Sequence, residues 1–441
     1  MLSSFFIRNF RSILELRLDF SYGEGKAPNG YQDQEVMPFI EVRKQRLVPC
    51  MAFFGANASG KTNLLKALRT LQQLILKDVK LADYFEPNVL NTKFTETVFE
   101  INFCRGGDDF TYRIVYSATA ISEEALLKNA ETIFNIRQLQ PEFAQQIRST
   151  AYSKEKLADI LRVECSDGEG HQIKPFLNRI GLGYPGLHFD LKNAFGYFQL
   201  GIQIFENDRS IVLPAAVEVL ASAMGGDNVA ALREITDFVR RLDIDIAAIN
   251  IIETELEARE TTDHVAQLKE NREIGAGHTI IKENHKTGAR HSVNINTLHM
   301  DVSGNPVFLN FIKHESAGTQ RLAGLIALIL RALKTGGVFL VDELECSLHP
   351  LLMREIVLLF KKRRHNPLGA QLIFTTHNTD ILDDSILRIS EIALVRKTVA
   401  NGTLVRRLVD AKKGGEDIRN VTNFRRQYLA GFYSGVPHPA L

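Results

Sequence analysis

The sequence predicts an α/β fold in which short apolar strands are followed by amphipathic helices, with an antiparallel β layer at the start and a mainly helical insertion in the middle. Two observations decide the class. The apolar run "RLVPCMAFF", ending at Phe54, opens directly into "GANASGKTNLLKALRTLQQLIL", where Leu64, Leu65, Leu68, Leu71, Leu74 and Ile75 recur at helical spacing. The same pattern returns far down the chain, where the strand "GGVFLVDE" precedes the helix "PLLMREIVLLFKKRRH" and the strand "AQLIFTTH" follows.

The other elements fit around these. "SSFFIRNFRSILELRLDF" reads as two short strands with partial alternation, and the polar "YGEGKAPNGYQDQEVMP" after it reads as a loop. "TVFEINFCRGGDDFTYRIVYSA" predicts a hairpin turning at Gly106-Gly107-Asp108-Asp109. From about Ala125 to Gly275 helical patterns dominate, as in "PEFAQQIRSTAYSKEKLADILRV" and "NVAALREITDFVRRL". No heptad pattern persists there, so no long coiled coil is expected. The charged "ETELEARETTDHVAQLKENREIGAG" reads as a helix or loop. Strands return at "HTIIKENHKTGARHSVNI", with a turn at Lys286-Thr287-Gly288, and the chain ends in strands ("EIALVRK", "TLVRRLV") and a helix ("NVTNFRRQYLAGF"). These shifts divide the chain into 1–124 and 278–441, two halves of one domain, and an insertion at 125–277.

Composition narrows the function classes. A chain of 441 residues builds one large or two ordinary domains. The formal net charge of +1 gives no global attraction to nucleic acid or membrane, so such binding needs a local patch. Cys50, Cys104, Cys165 and Cys346 lack metal or redox spacing and read as reduced thiols of a cytoplasmic protein. The N-terminus lacks the apolar core of a signal peptide. The run "LAGLIALILRAL" is too short to span a bilayer and contains Arg331, so no membrane association is expected.

Three motifs carry chemistry. "GANASGKT", Gly55 to Thr62, fits G-x-x-x-x-G-K-[ST] between a strand and a helix. Backbone N–H groups from Asn57 to Thr62 would converge on the β-phosphate, Lys61 would bridge β- and γ-phosphates, and Thr62 would ligate Mg²⁺. The strand Val338 to Val341 ends in Asp342-Glu343, and a buried strand ending in two carboxylates is costly without a cation or a proton-transfer task. Asp342 is placed to hold Mg²⁺ through its water shell, and Glu343 to orient or deprotonate a water. His377, at the end of the next strand, is placed to donate to the γ-phosphate or that water. A further stretch, "KHESAGTQRL", opens an apolar helix with small residues and makes a second anion-binding helix start.

Together these motifs resemble the ABC-type P-loop ATPase heads of the Rad50, SMC, RecF and OLD-like class, over roughly 1–120 and 278–400. They occur in the family order of phosphate loop, signature, Asp-Glu strand, D-loop and switch histidine. The resemblance implies ATP and Mg²⁺ as cofactors. It assigns nucleotide binding to Gly55, Ala56, Asn57, Ala58, Ser59, Gly60, Lys61, Thr62 and Asn63 and metal ligation to Thr62 and Asp342. Catalysis falls to Lys61, Glu343 and His377. "IRNFRS" resembles the opening strand of such heads, with Arg11 near the phosphates. "SAGTQ" resembles the signature through Ser316 and Gly318, and "ECSLHP" the D-loop, with Ser347, His349 and Pro350 at a dimer interface. In the family the signature of one subunit caps the γ-phosphate held by the other, which implies a homodimer sandwiching ATP and leaves room for larger oligomers. Three departures stand out: Ala58 replaces a common glycine and should be tolerated if its φ is negative, the signature is Ser-Ala-Gly-Thr, and no residue near 93–116 matches the Q-loop glutamine.

The Ser-Ala-Gly-Thr form is similar to OLD-like ATPases of anti-phage systems, such as the ATPase subunits of Septu, retron-linked and PARIS systems. That implies an ATP-driven sensor that holds or releases a separate effector, a Toprim or HNH nuclease or a toxin, in response to a phage-encoded trigger. Its hydrolysis would be slow. The alternative is a RecF-like repair ATPase that binds DNA and loads partners. A transporter subunit fits least, because such subunits have an LSGGQ-type signature and lack the "IRNFRS" strand. About 64 residues follow His377, too few for a fused nuclease, and "LDID" at Leu242 to Asp245 reads as a turn. His285 and His291 read as surface-strand residues. Basic residues cluster at Lys361 to Arg364, Arg406-Arg407 and Arg425-Arg426, either as solvated faces or as a patch for DNA or an acidic partner.

Overall fold

The computed structural model describes residues 1–23, 36–90, 93–145, 153–184, 188–205, 213–241, 246–255, 280–283, 290–346, 348–383, 385–398, 400–410 and 424–430. They form two compact units. One comprises Met1–Asn207, Thr335–Cys346 and Met353–Leu441, the other Asp208–Lys334 and Ser347–Leu352.

The first unit is organised by one mixed sheet. The chain enters through β1 (Leu2–Phe10) and β2 (Ile13–Asp19), adds the small hairpin β3 (Ile40–Val42) and β4 (Gln45–Leu47), and then runs through β5 (Cys50–Phe54) into α1 (Lys61–Leu76). Five antiparallel strands follow: β6 (Thr97–Arg105), β7 (Asp108–Tyr116), β8 (Ile121–Lys128), β9 (Glu131–Arg137) and β10 (Gln140–Phe143). Helices α2 (Lys154–Glu164), α3 (Phe176–Gly183) and α4 (Phe189–Gly196) lead to β11 (Ile202–Phe205).

The second unit holds α5 (Leu213–Ser222), α6 (Asn228–Arg241), β12 (Ala248–Glu255), β13 (Ile280–Glu283), β14 (Arg290–Met300), β15 (Pro306–Asn310), the one-turn α7 (Phe311–His314) and most of α8 (Ala317–Thr335). Strands β12, β13 and β15 all pair antiparallel with β14. Its core gathers Leu220, Ile235, Val239, Ile249, Ile295, Phe311, Leu322 and Ile326. The chain then returns to the large sheet through β16 (Val338–Val341), α9 (Pro350–Lys361), β17 (Gln371–Thr376), β18 (Ile392–Thr398) and β19 (Gly402–Arg407), and α10 (Phe424–Leu429) follows.

The sheet order among the described residues is β10-β9-β8-β7-β6-β1-β2-β19-β18-β5-β17-β16-β11. From β18 to β11 the pairings are parallel, and from β10 to β19 they are antiparallel. Sequence explains the split. β5, β16 and β17 are buried at every residue, as strands covered on both faces must be. β1 and β2 alternate buried and accessible positions, the mark of a half-covered antiparallel layer. Helix α1 turns Leu64, Leu65, Leu68, Leu71, Leu74 and Ile75 into the core.

The hairpin expected at Gly106-Gly107 is present, with both glycines at positive φ, 60° and 83°, and Arg105 paired with Asp108. The boundary expected at 124 falls inside a strand. Residues 121–143 are not helical but form β8, β9 and β10, which extend the antiparallel layer. Their two-residue turns, Asn129-Ala130 and Gln138-Leu139, also hold positive φ at both positions, 49° and 69°, 47° and 60°. They do so without the glycines that announce such turns. Helix α2 starts at Lys154, and the start of α3 is pinned to this layer by Glu124. That buried carboxylate accepts from Phe176 N and Leu177 N at the start of α3, from Tyr112 Oη and from Gln172 Nε2, and burial pushes its pKa up. The charged stretch from Leu256 to Gly275, the turn at 286–288, "LDID" and His285 lie outside the described residues, and only the backbone of His291 lies within them.

The basic runs are partly spent on the fold. Lys361 is fully buried, with Nζ 2.6 Å from Glu391 Oε2 and donating to Ile386 O. Arg407 is nearly buried and binds Asp19 at 2.7 Å and Ser21 O at 2.5 Å, and Arg425 pairs with Asp380 at 2.9 Å. Lys361 and Arg407 therefore drop out of any nucleic-acid patch. Removing one partner of a buried pair leaves an uncompensated charge, so Lys361→Met should lower stability by about 3–5 kcal/mol in urea unfolding, and Lys361→Met with Glu391→Leu should recover most of it.

Candidate functional site

The parallel half of the sheet brings three strand ends together. β17 lies between β5 and β16, so the loops after all three open at one edge. This is where open α/β sheets bind ligands.

The loop after β5 is fixed by close approaches that only small residues allow. A Cβ on Gly55 would lie 2.3 Å from Val395 O, and one on Gly60 would lie 2.1 Å from Thr403 Oγ1. Gly60 also has φ +100°, which favours glycine. Ala58 departs from expectation, because its φ is +60° rather than negative. Alanine in this region costs about 1–2 kcal/mol, and the neighbouring contacts hold it there. A chain of side chains secures the loop. Asn63 Nδ2 donates to Ser12 Oγ (2.7 Å), Ser12 Oγ lies 2.7 Å from Thr403 Oγ1, and Thr403 Oγ1 donates to Ser59 O (3.1 Å). Sequence reasoning missed Ser12 and Thr403, because they reach the loop from the β1–β2 turn and from β19. Arg11 is brought to the same corner: its Nη1 is 3.3 Å from Asn63 Oδ1 and its Nη2 is 2.5 Å from Glu86.

Lys61 is only 5% exposed and donates to Gly55 O (2.8 Å) and Ala56 O (2.9 Å). Burial pushes its pKa down to about 8, and the nearby Asp342, Glu345 and Glu343 oppose that shift. Thr62 Oγ1 lies 3.3 Å from Asp342 Oδ1, across the intervening β17. A hydroxyl and a carboxylate at this spacing are the hard oxygen donors that Mg²⁺ prefers, and the set fits that ion. Glu343 sits at φ +48°, and its N–H donates to Thr375 Oγ1. His377 follows β17. Its backbone N–H donates to Glu345 Oε1 (2.5 Å), and partial desolvation, then the charge of Lys61, lower its pKa, which favours the neutral imidazole. Glu345 and Thr375 were not foreseen either. Glu345 lies within the D-loop stretch and Thr375 in the strand before His377, and neither pattern assigns it a contact.

In the second unit, Ser316 and Gly318 lie at the start of α8. Exposed Ser316 caps the helix, accepting from Thr319 N at 3.1 Å and lying 2.9 Å from Thr319 Oγ1. The preceding turn is held by Glu315, whose carboxylate accepts from Thr297 Oγ1 (2.6 Å) and lies 2.7 Å from His299 Nε2. In the D-loop stretch, His349 Nδ1 accepts from Leu351 N (3.3 Å) and Pro350 opens α9, while Ser347 is outside the described residues.

A phosphate loop, an acidic strand end and a polar strand end on adjacent parallel strands define a P-loop ATPase core. The family model described as "AAA domain, putative AbiEii toxin, Type IV TA system" matches residues 50–161 and 227–383, more than half of the chain. The chain belongs to this family. Both matched blocks carry the motifs above, and the unmatched stretch between them holds α3, α4, β11 and α5. Among solved structures, the SMC head domain from Thermotoga maritima aligns over 92% of this chain and 98% of that chain, at 12% identity and a TM-score of 0.39. No curated protein matches the chain. No helix of the described residues is long and apolar enough to cross a membrane.

The position of Lys61 has a pH consequence. Between about pH 8 and its ordinary value of 10.5 the unfolded chain holds a proton that the folded chain has shed. Stability rises with pH wherever the unfolded state binds more protons. Without nucleotide, unfolding free energy should therefore gain a rising component across that interval, and Lys61→Met should flatten it in denaturant titrations at stepped pH.

Proposed function

We propose that this AAA-family chain binds and hydrolyses ATP with Mg²⁺, and that ATP drives the pairing of two copies. The observation that supports this best is the convergence of Lys61, Thr62, Asp342, Glu343 and His377 on one edge of the sheet. Gly55 to Asn63 would wrap the phosphates with backbone N–H groups at the positive end of α1. Lys61 would exchange the carbonyls of Gly55 and Ala56 for β- and γ-phosphate oxygens, a trade of neutral acceptors for anionic ones. Held by Thr62 and, through water, by Asp342, Mg²⁺ would neutralise charge building on the phosphates. Glu343 would take the proton of the attacking water, and neutral His377 would donate to the γ-phosphate or that water. Arg11 would add positive charge at the phosphates.

The exposed start of α8 supports the pairing. Its Ser316 hydroxyl and first N–H groups suit an anion, and the γ-phosphate held by a second copy is that anion. The biological reading proposed here is a sensor or scaffold subunit of an anti-phage defence system. ATP-dependent pairing would hold or release a separate effector, a Toprim or HNH nuclease or a toxin. A phage-encoded trigger, a cytoplasmic setting and assembly beyond the dimer belong to the same proposal. RecF-like DNA loading is the competing reading. The loss of Lys361 and Arg407 from the surface basic runs weighs against it.

Three variants test the enzyme. Lys61→Ala should abolish ATP binding in equilibrium dialysis. Glu343→Gln should keep binding, lower kcat by about 10²–10⁴-fold and trap paired copies on size exclusion with ATP. If Glu343→Gln turns over normally, Glu343 is not the base. Ser316→Arg should leave ATP binding intact yet abolish hydrolysis and pairing, and pairing that survives it would remove the signature role. For the biological role, co-purification with the products of neighbouring genes should recover an effector. Tight DNA binding by the ATP-loaded protein alone would favour the loader instead.

A further inference from the structure

Thr375 occupies an unusual position for a hydroxyl. It is fully buried near the end of β17, after Leu372, Ile373 and Phe374, on a strand with neighbours on both sides. Packing alone would be served as well by valine, which has the same branched shape and no polar atom to desolvate. A buried hydroxyl costs about 1–3 kcal/mol unless it is bonded. Here Thr375 Oγ1 donates to Asp342 Oδ1 at 2.6 Å and accepts from Glu343 N at 2.8 Å, while Thr375 O accepts from Leu344 N at 3.1 Å.

We propose that Thr375 is a positioning residue for ATP hydrolysis: one hydroxyl that fixes both the metal-holding carboxylate of Asp342 and the backbone that aims the Glu343 base. This rests on the ATPase reading above and adds to it a residue outside the recognised motifs. The two bonds do different things. The donated bond sets the rotation of the Asp342 carboxylate, whose Oδ1 also receives Thr62 at 3.3 Å. The accepted bond holds Glu343 at φ +48°, a conformation that costs a non-glycine residue about 1–2 kcal/mol. Without the hydroxyl, Glu343 N–H loses this acceptor and the bond that opposes relaxation of φ is gone. The carboxylate of Glu343 then swings away from the water. Because the hydroxyl links β17 to the end of β16, metal geometry and base geometry change together.

The test is Thr375→Val, with Thr375→Ser as the conservative variant. Thr375→Val should bind a fluorescent ATP analogue in EDTA as the wild type does, since Gly55 to Asn63 are untouched. Its kcat should fall roughly tenfold to hundredfold and the Mg²⁺ concentration for half-maximal rate should rise by a similar factor, as when outer-shell partners of other metal sites are lost. Thr375→Ser should restore both. Where valine compromises folding, Thr375→Ser and Thr375→Ala carry the comparison, because both lose the methyl and only alanine loses the hydroxyl. Wild-type kcat and Mg²⁺ dependence in Thr375→Val, or equal losses in the serine and alanine variants, would overturn the proposal. Failure of the ATPase reading looks different: the wild type itself would then neither bind nor hydrolyse ATP.

Discussion

The arrangement depends on keeping one buried ammonium, Lys61, beside the carboxylates of Asp342, Glu343 and Glu345 at the edge of a parallel sheet. Burial pushes the Lys61 pKa down, and the carboxylates push it back. Each acidic residue is in turn held: the Asp342 carboxylate accepts from the Thr375 hydroxyl, the Glu343 N–H donates to that same hydroxyl, and the Glu345 carboxylate accepts from the N–H of His377. A phosphate group entering this edge would find Lys61 already beside the loop, held by the carbonyls of Gly55 and Ala56 that it would exchange for phosphate oxygens. The sheet order makes this possible, because β17 carries its hydroxyl and its histidine between the strand of the phosphate loop and the strand of the acids.

Much of this was legible in the sequence because the parallel strands are short, wholly apolar and bounded by motifs. β5, β16 and β17 needed only their apolar runs, and Gly55, Gly60, Lys61 and Thr62 only their spacing. The antiparallel extension was harder to read. Two of its turns adopt a doubly left-handed geometry with Asn129-Ala130 and Gln138-Leu139; only Asn129 is of a type that favours it, and neither pair has the glycine that usually marks such a turn. Glu124, within β8, sits at the expected boundary, and nothing local in the sequence shows that it anchors α3 to the sheet.

Residues that act by holding others were the least visible. Ser12, Thr403 and Thr375 have ordinary side chains in ordinary strands or turns. Their roles arise only when elements far apart in sequence meet: Thr403 with Ser59, and Thr375 with Asp342, at separations no local pattern records. Ala58 makes the same point from the backbone. Its residue type suggested an unstrained loop, whereas the constraints set by Gly55, Gly60 and Thr403 hold it at +60°. The cost resides in the loop and is offset by the packing around it.

The two helix starts differ in a way that orders the proposed cycle. No side chain caps α1, whose N-cap is Gly60. Asn63 N donates back to Gly60 O, but no side chain competes for the N–H groups of Lys61 and Thr62 at this end. At α8 the Ser316 hydroxyl already accepts from Thr319 N. Part of the attraction of that end for an anion is thus satisfied internally, and no lysine or arginine occupies its first turn. A start of this kind holds free phosphate weakly. In the proposed cycle it would become effective when the phosphate is presented by a second copy and the serine hydroxyl can donate to it while still capping its own helix. Binding at Lys61 would then precede pairing, and pairing would report that the terminal phosphate is in place.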